Sequence, residues 1–436
     1  MLFPYLKSTN LNHSPGREEL TCRTESRIVF ISQGVTHNDA LMRCDNDLES
    51  VVKIMGAIKH SSYLINREQA LSLFYDARLE QLIECSSYLR NKFRPSILTY
   101  SRKVFVNLVN LCRDTCTYCT YKKEPGDTTI SMLDPDKVLA IIEVAKRLRC
   151  TEALIVTGER PEIRYKEVRN WLRKKGFSTL SEYVSEICEM IIEKTGLLPH
   201  TNAGSLTKQE LYTLRETNAS MGLMLESSST RLSGKGMPHE KAPSKNPKVR
   251  IKSLASCGEL NIPTTTGLLV GIGETPEEIV ESLILIRSLH ESFGHIQEVI
   301  MQNFSPKKGT AMSNYPAPTK DYFMRAVALA RILMPTMNIQ VPPNLNERIE
   351  DYIDVGINDW GGISPVTIDY VNPEHPWPPI DFVSQVTSKK GLLLKARLPV
   401  YPEFLKNGRS YISQSVRPSI EALANDEGLV KESYLI

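Results

Sequence analysis

The strongest constraint on the fold is a repeated alternation of short apolar strands and amphipathic helices, each strand closed by polar or glycine-rich residues. Strand-like runs fall at Val104–Val109, Ala153–Val156, Leu198–Asn202, Met221–Leu225, Thr264–Val270, Ile296–Met301 and Asn338–Val341, with an eighth expected near Ile357. Helical patterns follow at 135–148, 181–194, 208–216, 249–257, 276–293, 319–333 and 348–355. Strands linked by helices at this spacing pair in parallel. Eight such units predict an α/β fold of the TIM-type (β/α) barrel class, full or nearly full. The polar punctuation after each strand falls on the C-terminal rim, where active sites of such barrels sit.

Local signals refine the pattern. Asn66 is placed to cap a helix over 64–77, Asp134 to cap the helix from Pro135, and Thr275-Pro-Glu-Glu to open the longest one. The organisation expected is a weakly patterned extension over 1–50, a helical lead-in over 51–100, the barrel over 101–373 and a C-terminal extension over 374–436 packed on it. Within that extension Pro376-Trp-Pro-Pro379 reads as extended and 415–425 as a final helix. The first fifty residues carry no functional signal. They suit a flexible extension or a start codon assigned too early, and Glu18, Glu19 and Glu25 do not suit a transit peptide.

Directly after the first strand stands Asn110-Leu-Cys-Arg-Asp-Thr-Cys-Thr-Tyr-Cys-Thr-Tyr121. It sets Cys112, Cys116 and Cys119 in a C-x3-C-x2-C array. Three crowded thiols suit a soft metal or an iron–sulfur cluster. A four-iron cube held by three cysteines keeps one iron open for a small molecule. A zinc site would need a fourth ligand, and no Cys or His stands within the next thirty residues, although a distant one stays open. A disulfide framework fits poorly with six scattered further cysteines and no secretory signal. The count of nine, odd and without a signal, points to a reducing, cytoplasmic compartment. Cys150 and Cys188 sit in apolar contexts where a thiol packs as a small hydrophobe.

A net charge of +3 over 436 residues makes no electrostatic case for nucleic acid or a membrane surface. No apolar run approaches the length of a membrane span.

The cysteine array with its preceding aromatic resembles the radical S-adenosylmethionine (radical SAM) enzymes. More narrowly, seven blocks resemble the family of 7,8-didemethyl-8-hydroxy-5-deazariboflavin synthases, the CofG subunit of FO synthase. They are Leu111–Cys119, Thr157-Gly-Glu-Arg-Pro-Glu162, His200-Thr-Asn-Ala-Gly204, Gly222-Leu-Met-Leu-Glu-Ser227, Gly271-Ile-Gly-Glu-Thr275, Pro342-Pro-Asn-Leu345 and Asp359-Trp-Gly-Gly-Ile-Ser-Pro365. Thr117 and Tyr121 depart from the glycine and phenylalanine of many relatives, and Ser305–Gly309 departs from their basic loop.

The resemblance implies a carbon–nitrogen lyase. Cys112, Cys116 and Cys119 would hold three irons of a [4Fe–4S] cluster, with S-adenosylmethionine on the fourth. Its reductive cleavage yields methionine and a 5′-deoxyadenosyl radical, which takes a hydrogen atom from a hydroxybenzyl adduct of ribityl-diaminouracil. Ring closure with loss of ammonia gives the deazaflavin FO, precursor of coenzyme F(420). The partners implied are the small-molecule substrate, a CofH subunit that makes it from tyrosine, and a low-potential electron donor.

Individual roles follow by position. Gly158 and Glu159 suit the cofactor ammonium, since glycine allows close backbone approach and a carboxylate pairs with the cation. Tyr118 suits the adenine pocket, or packs beneath the loop. Asn202 and Glu226 end the third and fourth strands and face the cofactor, unless Glu226 merely caps a helix. Arg250 suits the cofactor carboxylate, with a solvated basic residue as the plain alternative. Gly271 suits a turn against adenine. Asn303, Asn344, Asp359 and Trp360 are candidates for the substrate, because asparagine offers donor and acceptor to a uracil edge and tryptophan can stack. His200 and Asp359 are the candidates for proton transfer; for a lone histidine at a strand end the plain alternative is a structural role. Three other readings stand beside this one: a CofH-type transferase acting on tyrosine or a related aminofutalosine-forming enzyme, a non-enzymatic iron–sulfur electron carrier, and a zinc-stapled barrel of another function.

Overall fold

A computed structural model describes residues 21–24, 27–30, 50–59, 64–406 and 410–436 of the chain. The 1–50 extension thus falls almost wholly outside the described residues, as do Cys44 and the side chain of Cys22. Within it, Thr21–Thr24 pairs with Arg27–Phe30 as an antiparallel ribbon.

Eight parallel strands close into a barrel: β1 (Ile97–Val109), β2 (Glu152–Thr157), β3 (Leu198–Asn202), β4 (Ser220–Gly222), β5 (Thr264–Val270), β6 (Ile296–Asn303), β7 (Asn338–Gln340) and β8 (Asp359–Ile363). Each pairs with the next in order, and β8 returns to β1 through Asp359 opposite Thr99 and Gly362 opposite Ser101.

Two strands depart from expectation. β1 begins seven residues before Val104, because its lower half has partners of its own. β4 stops at Gly222, and the chain runs on irregularly until the Glu226 N–H reaches the Gly267 carbonyl at 3.0 Å. There Glu226 adopts φ +67°, which ends extended pairing.

The helices form where cap chemistry and apolar periodicity agree. Pro276–Phe293 opens on a Thr275/Glu278 capping box and ends at Gly294 with φ 72°. Asn66 caps Arg67–Asp76 in the same way. Asp134 does not act as expected: it precedes the helix Pro135–Arg147, but its side chain makes no capping bond. Its carboxylate instead takes the Trp171 indole N–H at 3.1 Å and Lys175 at 2.5 Å.

Two apolar clusters pack the helices around the barrel. The outward set Val104, Val106 and Leu108 packs with Val138, Ile142, Ile187 and Ile191 from the surrounding helices. Each such fully buried aliphatic side chain contributes about 1.5–3 kcal/mol. On the opposite side Leu73, Leu82 and Leu89 of the helical lead-in join Phe323 and Leu329 of helix Lys320–Leu333. Cys85, Cys150, Cys188 and Cys257 are buried as free thiols in this shell.

The C-terminal stretch does more than lie on the outside. After helix Ile380–Lys389, Leu393–Arg397 forms β9, parallel to β1 from Leu393 opposite Ile97 to Arg397 opposite Ser101. It occupies the side of β1 below the point where β2 begins at Lys103 and Glu152. The helix expected over 415–425 runs Arg417–Leu423, and Glu432–Leu435 forms one more turn. Among the described residues no helix is long and apolar enough to cross a membrane.

Candidate active site

β1 delivers the chain directly into the cysteine loop, and the loop is tied down on several sides. Arg113 N–H donates to the Glu159 carbonyl at 2.8 Å, Thr115 N–H to Lys241 at 2.8 Å, and Thr117 N–H to Pro238 at 3.1 Å. The Tyr121 hydroxyl donates to the Val156 carbonyl at 3.0 Å, a bond that phenylalanine could not make. The Ser244 hydroxyl donates to the buried Asp114. The loop therefore holds its shape through backbone bonds to the end of β2 and to the Pro238–Lys241 segment, before any cofactor is considered.

Cys112, Cys116 and Cys119 all border one cavity of about 340 Å³ inside the upper barrel. Burial pushes Cys112 up to about 12 and raises Cys116 as well, so a thiolate there calls for a bound cation. Among the described residues no three His, Cys, Asp or Glu side chains converge on a single-ion site. Three thiols set around a volume suit a cluster that takes one cysteine per iron.

Beside them Gly158 follows β2 so closely that a Cβ would lie 1.9 Å from the Leu111 carbonyl oxygen and 2.8 Å from Cys112 Cα. This glycine is required by the cysteine loop itself. The next residue, Glu159, donates its N–H to Cys112 Sγ at 3.2 Å. Its carboxylate is buried. Oε2 accepts the Ser205 N–H at 3.0 Å, while Oε1 has no protein partner. A buried acceptor without a donor is costly, and an ammonium group placed there would satisfy it.

Arg250 is not the solvated cation of the plain alternative. It is 4% exposed, its Nε donates to the Ser244 carbonyl at 2.9 Å and its Nη1 to Met224 at 3.1 Å. Its Nη2 lies 4.0 Å from Glu159 Oε2. Glu226 is also buried, and is paired with Lys245 rather than capping a helix. Although burial favours its neutral form, Lys245 and Arg250 hold it below the ordinary carboxylate range. The left-handed backbone of Glu226 marks a place where strain is kept at a site. Tyr118 both packs and lines: it belongs with Leu232, Leu269 and Phe304, borders the cavity, and hydrogen-bonds His239 Nε2 at 2.9 Å. Asn202 lines the cavity as well.

Several expected residues sit elsewhere. Gly271 does not border the cavity; it turns the chain at φ +100°, where a Cβ would strike Pro318 at 2.5 Å. Asn303 points out of the barrel, because the pleat of β6 turns Glu298, Ile300 and Gln302 inward. Its amide bonds the Leu345 carbonyl at 3.2 Å and Asn346 at 3.3 Å. Trp360 abuts the cavity, but its ring is fully buried and its N–H points to Thr387 at 3.4 Å, which leaves no face for stacking. Asp359 is consumed by structure: Arg397 donates to both its oxygens at 2.6 and 2.9 Å, with Thr99 and the Gly361 N–H as further donors. It has no oxygen left for proton transfer. Asn344 does line the cavity; its amide N–H₂ is engaged by Asp369 and the His375 carbonyl, and its Oδ1 is free of protein donors.

His200 faces the cavity beside Gly222, where a Cβ would lie 2.8 Å from Nε2. Its Nδ1 lies 2.7 Å from the Ser220 hydroxyl, which donates to the Pro399 carbonyl at 2.6 Å. That bond leaves Ser220 as acceptor, so Nδ1 carries the proton and Nε2 is the lone-pair side. Burial pushes His200 down to about 4, so it is neutral.

The inward-facing residues that sequence reasoning passed over are Lys103, Glu152, Glu298, Gln302, Arg397 and Trp377. A period-two reading of the strands would have exposed four of them, since a charged or polar residue at an inward position of a buried strand is informative. Nothing local marks Arg397 or Trp377, which come from the C-terminal stretch.

A closed parallel barrel whose first strand empties into this three-cysteine loop defines a radical SAM enzyme, and the Radical SAM superfamily matches residues 106–286. Such enzymes work with a [4Fe–4S] cluster and S-adenosylmethionine. The chain is 46% identical over 336 residues to a 7,8-didemethyl-8-hydroxy-5-deazariboflavin synthase from Methanopyrus kandleri, covering 77% of this chain and 100% of that one. It is 41% identical to the enzyme of that name from Methanocaldococcus jannaschii, over 81% and 97% of the two chains. The chain therefore belongs to the 7,8-didemethyl-8-hydroxy-5-deazariboflavin synthase family. It is also 44% identical to an FO synthase from Streptomyces coelicolor over 79% of this chain, but spans 40% of that longer protein. In fold it is similar to the FeFe-hydrogenase maturase HydG from Carboxydothermus hydrogenoformans, with a TM-score of 0.67 at 16% identity over 89% and 92% of the chains.

The close fit at Gly158 yields a test. Gly158→Ala must push the backbone of Leu111 and Cys112, so reconstituted iron content and S-adenosylmethionine cleavage are each expected to fall at least tenfold. Iron retained at the wild-type level would show that the loop yields freely.

Proposed function

We propose that this chain converts 5-amino-5-(4-hydroxybenzyl)-6-(D-ribitylimino)-5,6-dihydrouracil into the deazaflavin FO, releasing ammonia, methionine and 5′-deoxyadenosine, as a step toward coenzyme F(420). The observation that carries the reading is the convergence of Cys112, Cys116, Cys119, Glu159 and Arg250 on the rim of one cavity, in a chain that covers the whole length of its Methanopyrus kandleri relative. When bound, the cluster and S-adenosylmethionine supply a 5′-deoxyadenosyl radical that takes a hydrogen atom from the substrate.

The chain's residues position the reactants. Cys112, Cys116 and Cys119 hold the cluster. Glu159 receives the cofactor ammonium on its open Oε1, and Arg250 faces the cofactor carboxylate. Tyr118 flanks the adenine, while Asn202 and Glu226 hold the ribose and methionine portion. On the same rim Asn344 offers Oδ1 to a ring N–H of the substrate, and His200, within β3, offers Nε2 as a neutral acceptor. The substrate comes from a CofH-type partner, and a low-potential donor in the cytoplasm supplies the electron.

Anaerobic reconstitution followed by supply of the adduct tests the reading. The expected products are 5′-deoxyadenosine, ammonia and a fluorescent deazaflavin. Turnover of tyrosine with ribityl-diaminouracil, and none of the adduct, would transfer the chain to the CofH-type activity. Failure of the reduced protein to cleave S-adenosylmethionine would leave only electron carriage.

A further inference from the structure

Lys103 is a buried cation on the wall of this cavity that the cofactor rim does not use. The β1 pleat turns it inward with Phe105, and it is 9% exposed. Its side chain crosses toward β8, where Gly362 makes room: a Cβ there would lie 2.2 Å from Lys103 Cδ and 2.6 Å from Nζ. The ammonium lies 4.7 Å from the Trp377 ring centre and 5.9 Å from that of Phe105. Among the described residues Nζ has neither an ion pair nor a hydrogen bond.

The charges that face it are all engaged elsewhere. Glu152 accepts the Ser101 hydroxyl. Asp369 accepts from Asn344, Asn372 and two backbone N–H groups. Glu298 accepts from Arg397 at 3.0 Å, Tyr401 at 2.8 Å and Thr265 at 3.0 Å. Lys103 thus lines the cavity with no protein acceptor on Nζ, beside carboxylates that favour its charge from a distance and Arg397, itself paired with Asp359 and Glu298, that opposes it. Burial lowers its hold on the proton below that of an ordinary lysine. A structural lysine would close an ion pair; this one presents an available proton on aromatic surfaces.

We propose that Lys103 is a catalytic residue, the general acid that protonates the amine leaving the substrate. The inference rests on the reaction assigned above. A proton moves from Nζ to the amino nitrogen, the carbon–nitrogen bond breaks with its electron pair on nitrogen, and ammonia departs. Neutral Nζ then takes up the proton that the substrate sheds as the new ring becomes aromatic, which restores the ammonium. The lysine step is redox-neutral: cleavage of S-adenosylmethionine to methionine and 5′-deoxyadenosine takes up one electron from the donor and one with the abstracted hydrogen atom, and the second electron that the substrate loses replaces the one the donor supplied.

Reconstituted Lys103→Gln and Lys103→Arg are compared with wild type for adduct affinity without reductant, and for 5′-deoxyadenosine, ammonia and FO with it. Glutamine removes the proton; arginine keeps the charge but does not release a proton near neutral pH. Both variants are expected to bind the adduct within about threefold and to form 5′-deoxyadenosine within about tenfold of wild type. FO and ammonia should fall by about 100-fold or more in both, within the usual range for a general acid. Lys103→Met, which keeps the aliphatic stem beside Trp377, replaces the glutamine variant if that one fails to fold. Recovery of FO in Lys103→Arg would reduce the residue to a charge, and FO per 5′-deoxyadenosine unchanged in the neutral variant would remove its role; either overturns the proposal. Wild-type protein that makes no FO from the adduct overturns the assigned reaction instead.

Discussion

Alanine at Cys112, Cys116 or Cys119 is expected to abolish the cluster's visible absorbance, S-adenosylmethionine cleavage and FO formation together. Under the proposed assignment each substitution removes one of the three thiols that hold the cluster, and the open iron cannot spare another. The loss should exceed the roughly 10–100-fold typical of an outer-shell partner. The fold should survive, since the loop is held by Arg113, Thr115, Thr117 and Tyr121 rather than by the thiols. Alanine at buried Cys85 or Cys188 is the control: iron content unchanged, with a modest cost in stability. A rim variant that retained both the cluster and S-adenosylmethionine cleavage would break the ligand assignment.

The second large effect is structural. Arg397 closes the bottom of the barrel interior, donating to Asp359 and Glu298 with all three side chains at most 5% exposed. Burial works against the charge of Arg397, yet Asp359 holds it well above its ordinary value. Burial likewise raises Glu298, with Arg397 opposing. Arg397→Met leaves two buried carboxylates without their cation. Removing one member of a buried charge cluster costs about 3–5 kcal/mol, which urea unfolding would read as a lower midpoint at constant slope. Adding Glu298→Gln and Asp359→Asn should restore most of the loss, because a neutral set no longer needs the cation. A single Arg397→Met variant within about 1 kcal/mol of wild type would mean that water or proton uptake already compensates.

The barrel class, the order of its strands and the cysteine loop follow from local chemistry. Apolar runs, cap residues such as Thr275 and the spacing of three thiols are encoded within a few residues of where they act. That Gly158, Glu159, Asn202, Glu226 and Asn344 border the cavity was legible for the same reason: each lies within a few residues of a strand end, and strand ends make the rim. Asn303 and Gln302 show the limit. A single step along β6 turns a side chain from the cavity to the segment after β7, and a cluster of polar residues at a strand end does not say which parity faces in.

Asp359 and Trp360 were misread for a related reason. Their motif marks the site, but which side chain reaches it depends on partners far away in the chain. Arg397, thirty-eight positions on, claims the aspartate, and Thr387 the indole. Trp377 instead brings an aromatic face to Lys103, again from the C-terminal stretch.

By itself, then, the sequence determined an eight-fold strand–helix alternation, a rim, and a three-thiol loop at its first position, because hydrophobic period, capping and ligand spacing are short-range properties. Only the tertiary structure decided which charges are spent on one another and which remain free for chemistry. Glu159 Oε1, His200 Nε2 and Lys103 Nζ stay open while Asp359 does not, because pairing of buried charges is settled by through-space neighbours that no local pattern records.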